Sequence, residues 1–154
     1  MRDDRPAVRV LLVEDSPADV VLTKEALRRA SIPMEVSTVG DGVEALAFLR
    51  RENRYVDAPR PDLILLDLNL PRRRGDQVLA EMTSDPTIAT IPVIVLTTSR
   101  SEADVSAAYA AGANCYVAKP FDLDEFDDVI RSIEKFWMEL AMLPAQSPDP
   151  TAKR

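Results

Sequence analysis

DLILLDLNLP, residues 62–71, is the stretch from which the fold can be worked out. Within it, residues 63–68 form an apolar run interrupted only by Asp67, and Pro71 follows shortly after. A run this short and this apolar reads as a buried strand, and the proline marks the turn beyond it. Asp67 could cap that turn through its carboxylate. Closing an apolar run with an acid is nevertheless costly unless the acid has a task.

Four further apolar runs lie on either side, at Val8–Val13, Met34–Val39, residues 92–97 and residues 114–118. Between them are stretches with helical spacing at residues 17–30, 42–52, 76–83, 102–111 and 123 to about 138. Helix starts are marked by Ser16 before Pro17 and by the pairs Asp41/Glu44, Ser101/Asp104 and Asp122/Glu125, whose side chains can satisfy orphan backbone donors. Strand then helix, five times over, predicts a doubly wound α/β domain: five parallel strands with helices on both faces of the sheet. Residues 50–60 carry charge and two prolines nearby, and read as an exposed loop entering the third strand. The division expected is a domain over residues 1–139 and a C-terminal extension or flexible tail over 140–154, proline-rich from Pro144 onward.

Composition narrows the function. The chain has 154 residues, enough to bury a core without disulfides, and its 46% hydrophobic and 29% charged residues are ordinary for a soluble domain. With 26 acidic against 19 basic side chains the net charge is −7, so neither nucleic acid nor membrane is an expected partner. The lone Cys115 and the charged start of the chain point to a cytoplasmic protein, with Cys115 an inert buried side chain. Histidine is absent, which removes Ser-His-Asp and Cys-His catalysis and histidine metal sites.

In doubly wound sheets the functional crevice lies at the carboxyl ends of the strands. Those ends carry Glu14 and Asp15, then Asp67, then Thr97 and Thr98, then Lys119 and Pro120. Taken singly each has an ordinary explanation: a solvated strand end, a turn cap, a β-branched strand residue, an exposed lysine. Their convergence is what carries weight. Three carboxylates in one small site repel one another unless a cation neutralises them or some are protonated. An oxygen-only donor set points to a hard ion, Mg²⁺ first, completed by water and a phosphoryl oxygen. Asp67 is then the expected nucleophile, Lys119 the charge-spreading cation, and Thr97 a hydrogen-bond donor to the product.

Over residues 9–136 the chain resembles the receiver domains of response regulators, in LLVEDS (residues 11–16), DLILLDLNLP (62–71), PVIVLTTS (92–99) and YVAKPF (116–121). The resemblance implies a flavodoxin-like sheet in the order 2-1-3-4-5 and a phosphoryl group accepted on Asp67 from a sensor histidine kinase. It implies a Mg²⁺ site made by Asp15 directly, Glu14 mainly through bound water, Asp67, and the backbone carbonyl of Asn69. Thr97 takes the place of the switch hydroxyl, Tyr116 of the aromatic that turns inward on activation, and Lys119 of the phosphoryl-binding lysine. Lys119–Pro120 takes the place of a cis peptide. Such a protein is a phosphoacceptor that catalyses only its own phosphorylation and dephosphorylation.

FWMELAMLP (residues 136–144) and the long 50–60 loop are similar to response regulators that partner phytochrome-type histidine kinases, bacteriophytochromes among them. That subgroup lacks a DNA-binding output domain and forms homodimers through the fourth helix, fifth strand and extended fifth helix. Phe126, Val129, Ile130, Ile133, Trp137 and Leu140 make one helical stripe expected to face the core. Phe136 and residues 140–143 are apolar surface left for a partner. Arg72, Arg73 and Arg74 read as a solvated loop, with steering of a phosphorylated partner as the alternative. A haloacid-dehalogenase-type phosphatase is the rival reading, but Asn69 stands where its second, proton-donating aspartate belongs.

Overall fold

The hydrophobic pattern resolves into alternating strands and helices in the computed structural model, which describes residues 7–120 and 122–146, with side chains as far as residue 135. The strands are β1 (Val8–Val13), β2 (Met34–Val39), β3 (Leu63–Leu66), β4 (Val93–Thr97) and β5 (Cys115–Ala118). The helices are α1 (Pro17–Arg28), α2 (Gly42–Arg50), α3 (Gly75–Thr83), α4 (Glu102–Ala111) and α5 (Leu123–Gln146). All strand pairs are parallel, in the order β2-β1-β3-β4-β5.

The pleat sorts the strand side chains between two cores. Leu11, Val13, Ile64, Leu66, Val93 and Val95 face one way, against Ala45, Leu46 and Phe48 of α2, Val78, Leu79 and Met82 of α3, and Ala108 of α4. Val10, Leu12, Leu63, Leu65, Ile94 and Leu96 face the other, against Ala26 and Leu27 of α1 and Phe126, Ile130 and Ile133 of α5. Because β1, β3 and β4 are covered on both faces they read as largely apolar runs, broken in β1 only by the exposed Arg9 and closed in β4 by Thr97. Each fully buried Leu or Ile here contributes about 1.5–3 kcal/mol.

Helix starts follow the expected caps. The N–H of Asp19 donates to Ser16 Oγ (3.3 Å), Glu44 to Asp41 Oδ1 (2.7 Å), Asp104 to Ser101 Oγ (3.3 Å) and Glu125 to Asp122 Oδ1 (2.8 Å). The 50–60 loop is exposed but anchored. A single 3₁₀ turn at Asn53–Tyr55 packs the Tyr55 ring on Phe48 at 5.3 Å, and the Tyr55 hydroxyl donates to Glu44 at 2.5 Å. Cys115 is half-buried rather than buried, because β5 is an edge strand.

Several boundaries differ from the sequence reading: α1 ends at Arg28 and α2 at Arg50, each two residues early, and β4 and β5 each start one residue late. β3 stops at Leu66, and the chain bends two residues later at Leu68. α3 starts at Gly75, one residue early. α5 continues to Gln146 rather than about Met138, as no residue between Met138 and Pro144 breaks a helix. The core stripe of α5 is as expected at Phe126, Ile130 and Ile133. The side chains of Phe136, Trp137 and residues 140–143 lie outside the described residues, as does the tail beyond Gln146. Among the described residues, no helix is long and apolar enough to cross a membrane.

Candidate functional site

Ladder hydrogen bonds deliver four chain segments to one edge of the sheet. The N–H of Glu14 donates to the Val39 carbonyl (3.0 Å) and that of Asp67 to the Val13 carbonyl (3.0 Å), so both acids emerge at the same level beside β1. Thr97 closes β4, and the Lys119 N–H donates to its carbonyl at 2.7 Å. Asp15 reaches solvent while Glu14 stays buried.

Carboxylate oxygens of Glu14, Asp15 and Asp67 lie within 4.8 Å of one another. The Lys119 ammonium, 6% exposed, donates to Glu14 Oε1 at 2.5 Å, Asp19 Oδ2 at 2.8 Å and Asp67 Oδ2 at 3.3 Å. Glu14 Oε2 accepts the Ser16 N–H (3.1 Å), and Asp67 Oδ1 accepts the Asn69 N–H (3.2 Å). Burial pushes the Glu14 carboxyl above its usual range, and the neighbouring Asp67 charge adds to this against the bond from Lys119. Burial works against the Lys119 charge, but the bonds to Asp19 and Glu14 and the Asp67 charge outweigh it, so its pKa is raised.

Three carboxylates thus share one ammonium with Asp15 beside them, and the remaining negative charge with an all-oxygen donor set suits a hard divalent cation. Here the residues fit the group expected: one oxygen from each of the three acids lies close enough to the others to share an ion, and Asp15 stays open to solvent.

The Thr97 hydroxyl is fully buried and has no hydrogen-bond partner among the described residues. Tyr116 is half-buried against the core beneath α2, α3 and α4, and its hydroxyl donates to the Ser99 carbonyl at 2.8 Å. Its own N–H, on the sheet edge, donates to the Tyr109 hydroxyl at 3.0 Å. Replacing an unpartnered buried hydroxyl by a methyl loses nothing in the folded protein. Thr97→Val is therefore expected to keep unfolding stability within about 1 kcal/mol of the parent, measured by urea denaturation. A drop of several kcal/mol would show that the hydroxyl is paired.

One expectation is corrected. No cis peptide bond occurs among the described residues, so Lys119–Pro120 is trans. The two isomers of an X-Pro bond differ by only about 0.5–1 kcal/mol, and pairing of β5 to β4 already aims Lys119 at the carboxylates.

Two contributors escaped the sequence reading. Asp19 looks there like any acid in the first turn of a helix, yet it is the second partner of Lys119; its spacing behind Glu14 and Asp15 was the available signal. Gly75 begins α3, and a Cβ on it would lie 2.5 Å from the Asp67 carbonyl oxygen and 2.8 Å from Leu68 Cα. Only glycine lets the helix start approach the backbone of Asp67 so closely. Gly75→Ala is expected to cost about 1–3 kcal/mol, read by chemical denaturation. A neutral result would mean that α3 can retreat freely. Arg72 and Arg74 are exposed and Arg73 is half-buried, and they are paired with Asp41 and Glu44, with Asp76, and with Glu81 respectively.

Comparison with known proteins agrees with this geometry. A family model described as response regulator receiver domain matches residues 10–131. Response regulator Rcp1 of Synechocystis is 46% identical over 143 residues, 93% of this chain and 97% of that protein. The crystal structure of the phosphorylated cyanobacterial phytochrome response regulator RcpA superimposes with a TM-score of 0.82 at 49% identity, covering 86% of this chain and 95% of that one. The Mn²⁺-bound form of Rcp1 gives 0.79 at 46% identity over the same shares. With the fold, the family match and relatives at this identity in agreement, the chain belongs to the response regulator receiver domain family.

Proposed function

We propose that this protein is the phosphoacceptor half of a two-component pair: Asp67 takes a phosphoryl group from the phosphohistidine of a sensor histidine kinase, in a reaction that needs Mg²⁺. The observation that carries the reading is the cluster of Glu14, Asp15 and Asp67 oxygens within 4.8 Å, with the Lys119 ammonium among them. A carboxylate oxygen of Asp67 forms a bond to phosphorus as the phosphorus–nitrogen bond breaks, and the leaving imidazole keeps the electron pair and takes up a proton from solvent. Asp15, Glu14, Asp67 and the Asn69 carbonyl would hold the ion, which supplies positive charge to the transferring oxygens when bound. Lys119 turns from Asp67 to the new phosphoryl oxygens, and stays tethered through Glu14 and Asp19.

Thr97 then has a use for its unpartnered hydroxyl, as a donor to the phosphoryl group. Tyr116 packs on the core face that α4 covers, and its hydroxyl bonds Ser99 two residues beyond Thr97, so in this reading movement of Thr97 changes the space open to its ring. We take the altered face of α4, β5 and α5 as the output surface, with a homodimer through it. Residues 1–139 are the receiver unit in this reading, and 140–154 an extension that adds to that surface. Likeness to a phytochrome response regulator supports a phytochrome-type kinase as the donor, and we place the exchange in the cytoplasm.

The test is incubation with a phosphorylated histidine kinase, with Mg²⁺ or with EDTA. Transfer of one acid-labile phosphoryl group only with Mg²⁺ supports the reading, and sustained turnover of small phosphate esters would instead favour a phosphatase. Sedimentation with and without beryllofluoride tests the homodimer.

A further inference from the structure

We propose that Arg72 is a positioning residue for the divalent-ion site, holding the β3–α3 turn against the start of α2; this rests on the reading of that site given above. The turn is strained. Arg72 has φ = 63°, a left-handed conformation that side chains other than glycine rarely adopt. The Arg73 N–H closes onto the Pro71 carbonyl at 2.6 Å, making a three-residue turn centred on Arg72. Turns of this positive-φ kind are rare, and persist only where their surroundings hold them.

The holding contacts come from α2. Arg72 Nε donates to Asp41 Oδ2 (3.0 Å), and Nη2 to Asp41 Oδ1 (3.1 Å) and Glu44 Oε2 (3.3 Å). This is the two-pronged geometry that a planar guanidinium makes with a carboxylate. Asp41 is a rigid anchor, because its carboxylate also caps α2. Beside it, a Cβ on Gly42 would lie 2.2 Å from the Arg73 carbonyl oxygen, so backbone meets backbone with no slack.

Arg73 and Arg74 pair instead with α3 residues, Glu81 and Asp76, which leaves Arg72 as the arginine of the three that spans to α2. The other end of the turn is the site itself: the Asn69 N–H is on the Asp67 carboxylate, and the Leu70 and Gly75 N–H groups share the Leu68 carbonyl. A shift at Arg72 therefore reaches Asn69 and Asp67.

Electrostatics alone predicts that removing a cation near the site tightens Mg²⁺ binding; a positioning role predicts the reverse. Arg72→Ala is expected to weaken Mg²⁺ affinity about three- to fivefold and to speed amide exchange over residues 69–73 in Mg²⁺-free protein. Arg72→Gly accepts the positive φ freely but lacks the guanidinium, and is expected to show the same loss. Arg72→Lys should recover part of it. Wild-type behaviour of Arg72→Gly, tighter Mg²⁺ binding by Arg72→Ala, or unchanged amide exchange in Arg72→Ala would overturn the proposal. If the unaltered protein bound no Mg²⁺, the site reading would fall, while the exchange measurement would still judge the role of Arg72 in the turn.

Discussion

Asp67→Asn is expected to abolish phosphotransfer, a loss on the order of a thousandfold or more, the scale on which removing a covalent nucleophile registers. The amide has nearly the shape of the carboxylate, so packing beneath it is kept, and its oxygen can still accept from Lys119 or Asn69. What it lacks is the charge that attacks phosphorus and attracts a divalent ion. The same change removes one negative charge from beside Glu14, whose carboxyl is already pushed up by burial and by Asp67. Stability without Mg²⁺ should therefore be equal or greater, which separates the chemical defect from misfolding. Undiminished labelling of a folded Asp67→Asn protein would remove Asp67 as the acceptor.

The second large effect concerns Lys119. Its ammonium is almost fully buried and is the shared donor of Glu14, Asp19 and Asp67. Removing one partner of a buried ion pair leaves the others uncompensated, which typically costs about 3–5 kcal/mol. Lys119→Met is expected to lose that much stability in EDTA, measured by denaturant unfolding, and to regain most of it with Mg²⁺, since a divalent ion can neutralise the same carboxylates. Phosphotransfer should still fall about a hundredfold, because among the described residues Lys119 is the one side-chain cation paired with Asp67, and the ion alone must then spread charge on the transferring oxygens. Should Lys119→Met not fold, the double change Lys119→Met with Glu14→Gln removes the stranded charge and keeps the test open. Equal losses of stability with and without Mg²⁺ would mean that the ion and the lysine do not share the same carboxylates.

The fold was legible because three strands are covered on both faces. Leu63, Ile64, Leu65 and Leu66 have no polar interruption to confuse the period, and Ser16, Asp41, Ser101 and Asp122 announce the helices that follow. The ends of elements were less legible. Where α5 stops depends on how strong helix formers continue past the core, a matter of degree and not of pattern. At the site, acids and a lysine at strand ends could be placed in advance because parallel strands bring their carboxyl ends to one edge. Asp19, Gly75 and Asp41 could not, since each acts through a close approach between segments distant in sequence: a helix acid reaching Lys119, a helix start against the Asp67 carbonyl, a cap residue receiving Arg72. The isomer of Lys119–Pro120 was missed for a related reason, as the sequence makes a cis bond accessible without choosing it.

The most direct measurement is the chemical position of the phosphoryl group. Protein phosphorylated by a histidine kinase in the presence of Mg²⁺ is reduced with borohydride, which converts an aspartyl phosphate to homoserine, and its peptides are sequenced by mass spectrometry. Homoserine at position 67 and at no other aspartate is the predicted result. Homoserine at Asp15 or elsewhere, or label retained on a hydroxyl side chain that borohydride leaves unchanged, would contradict it.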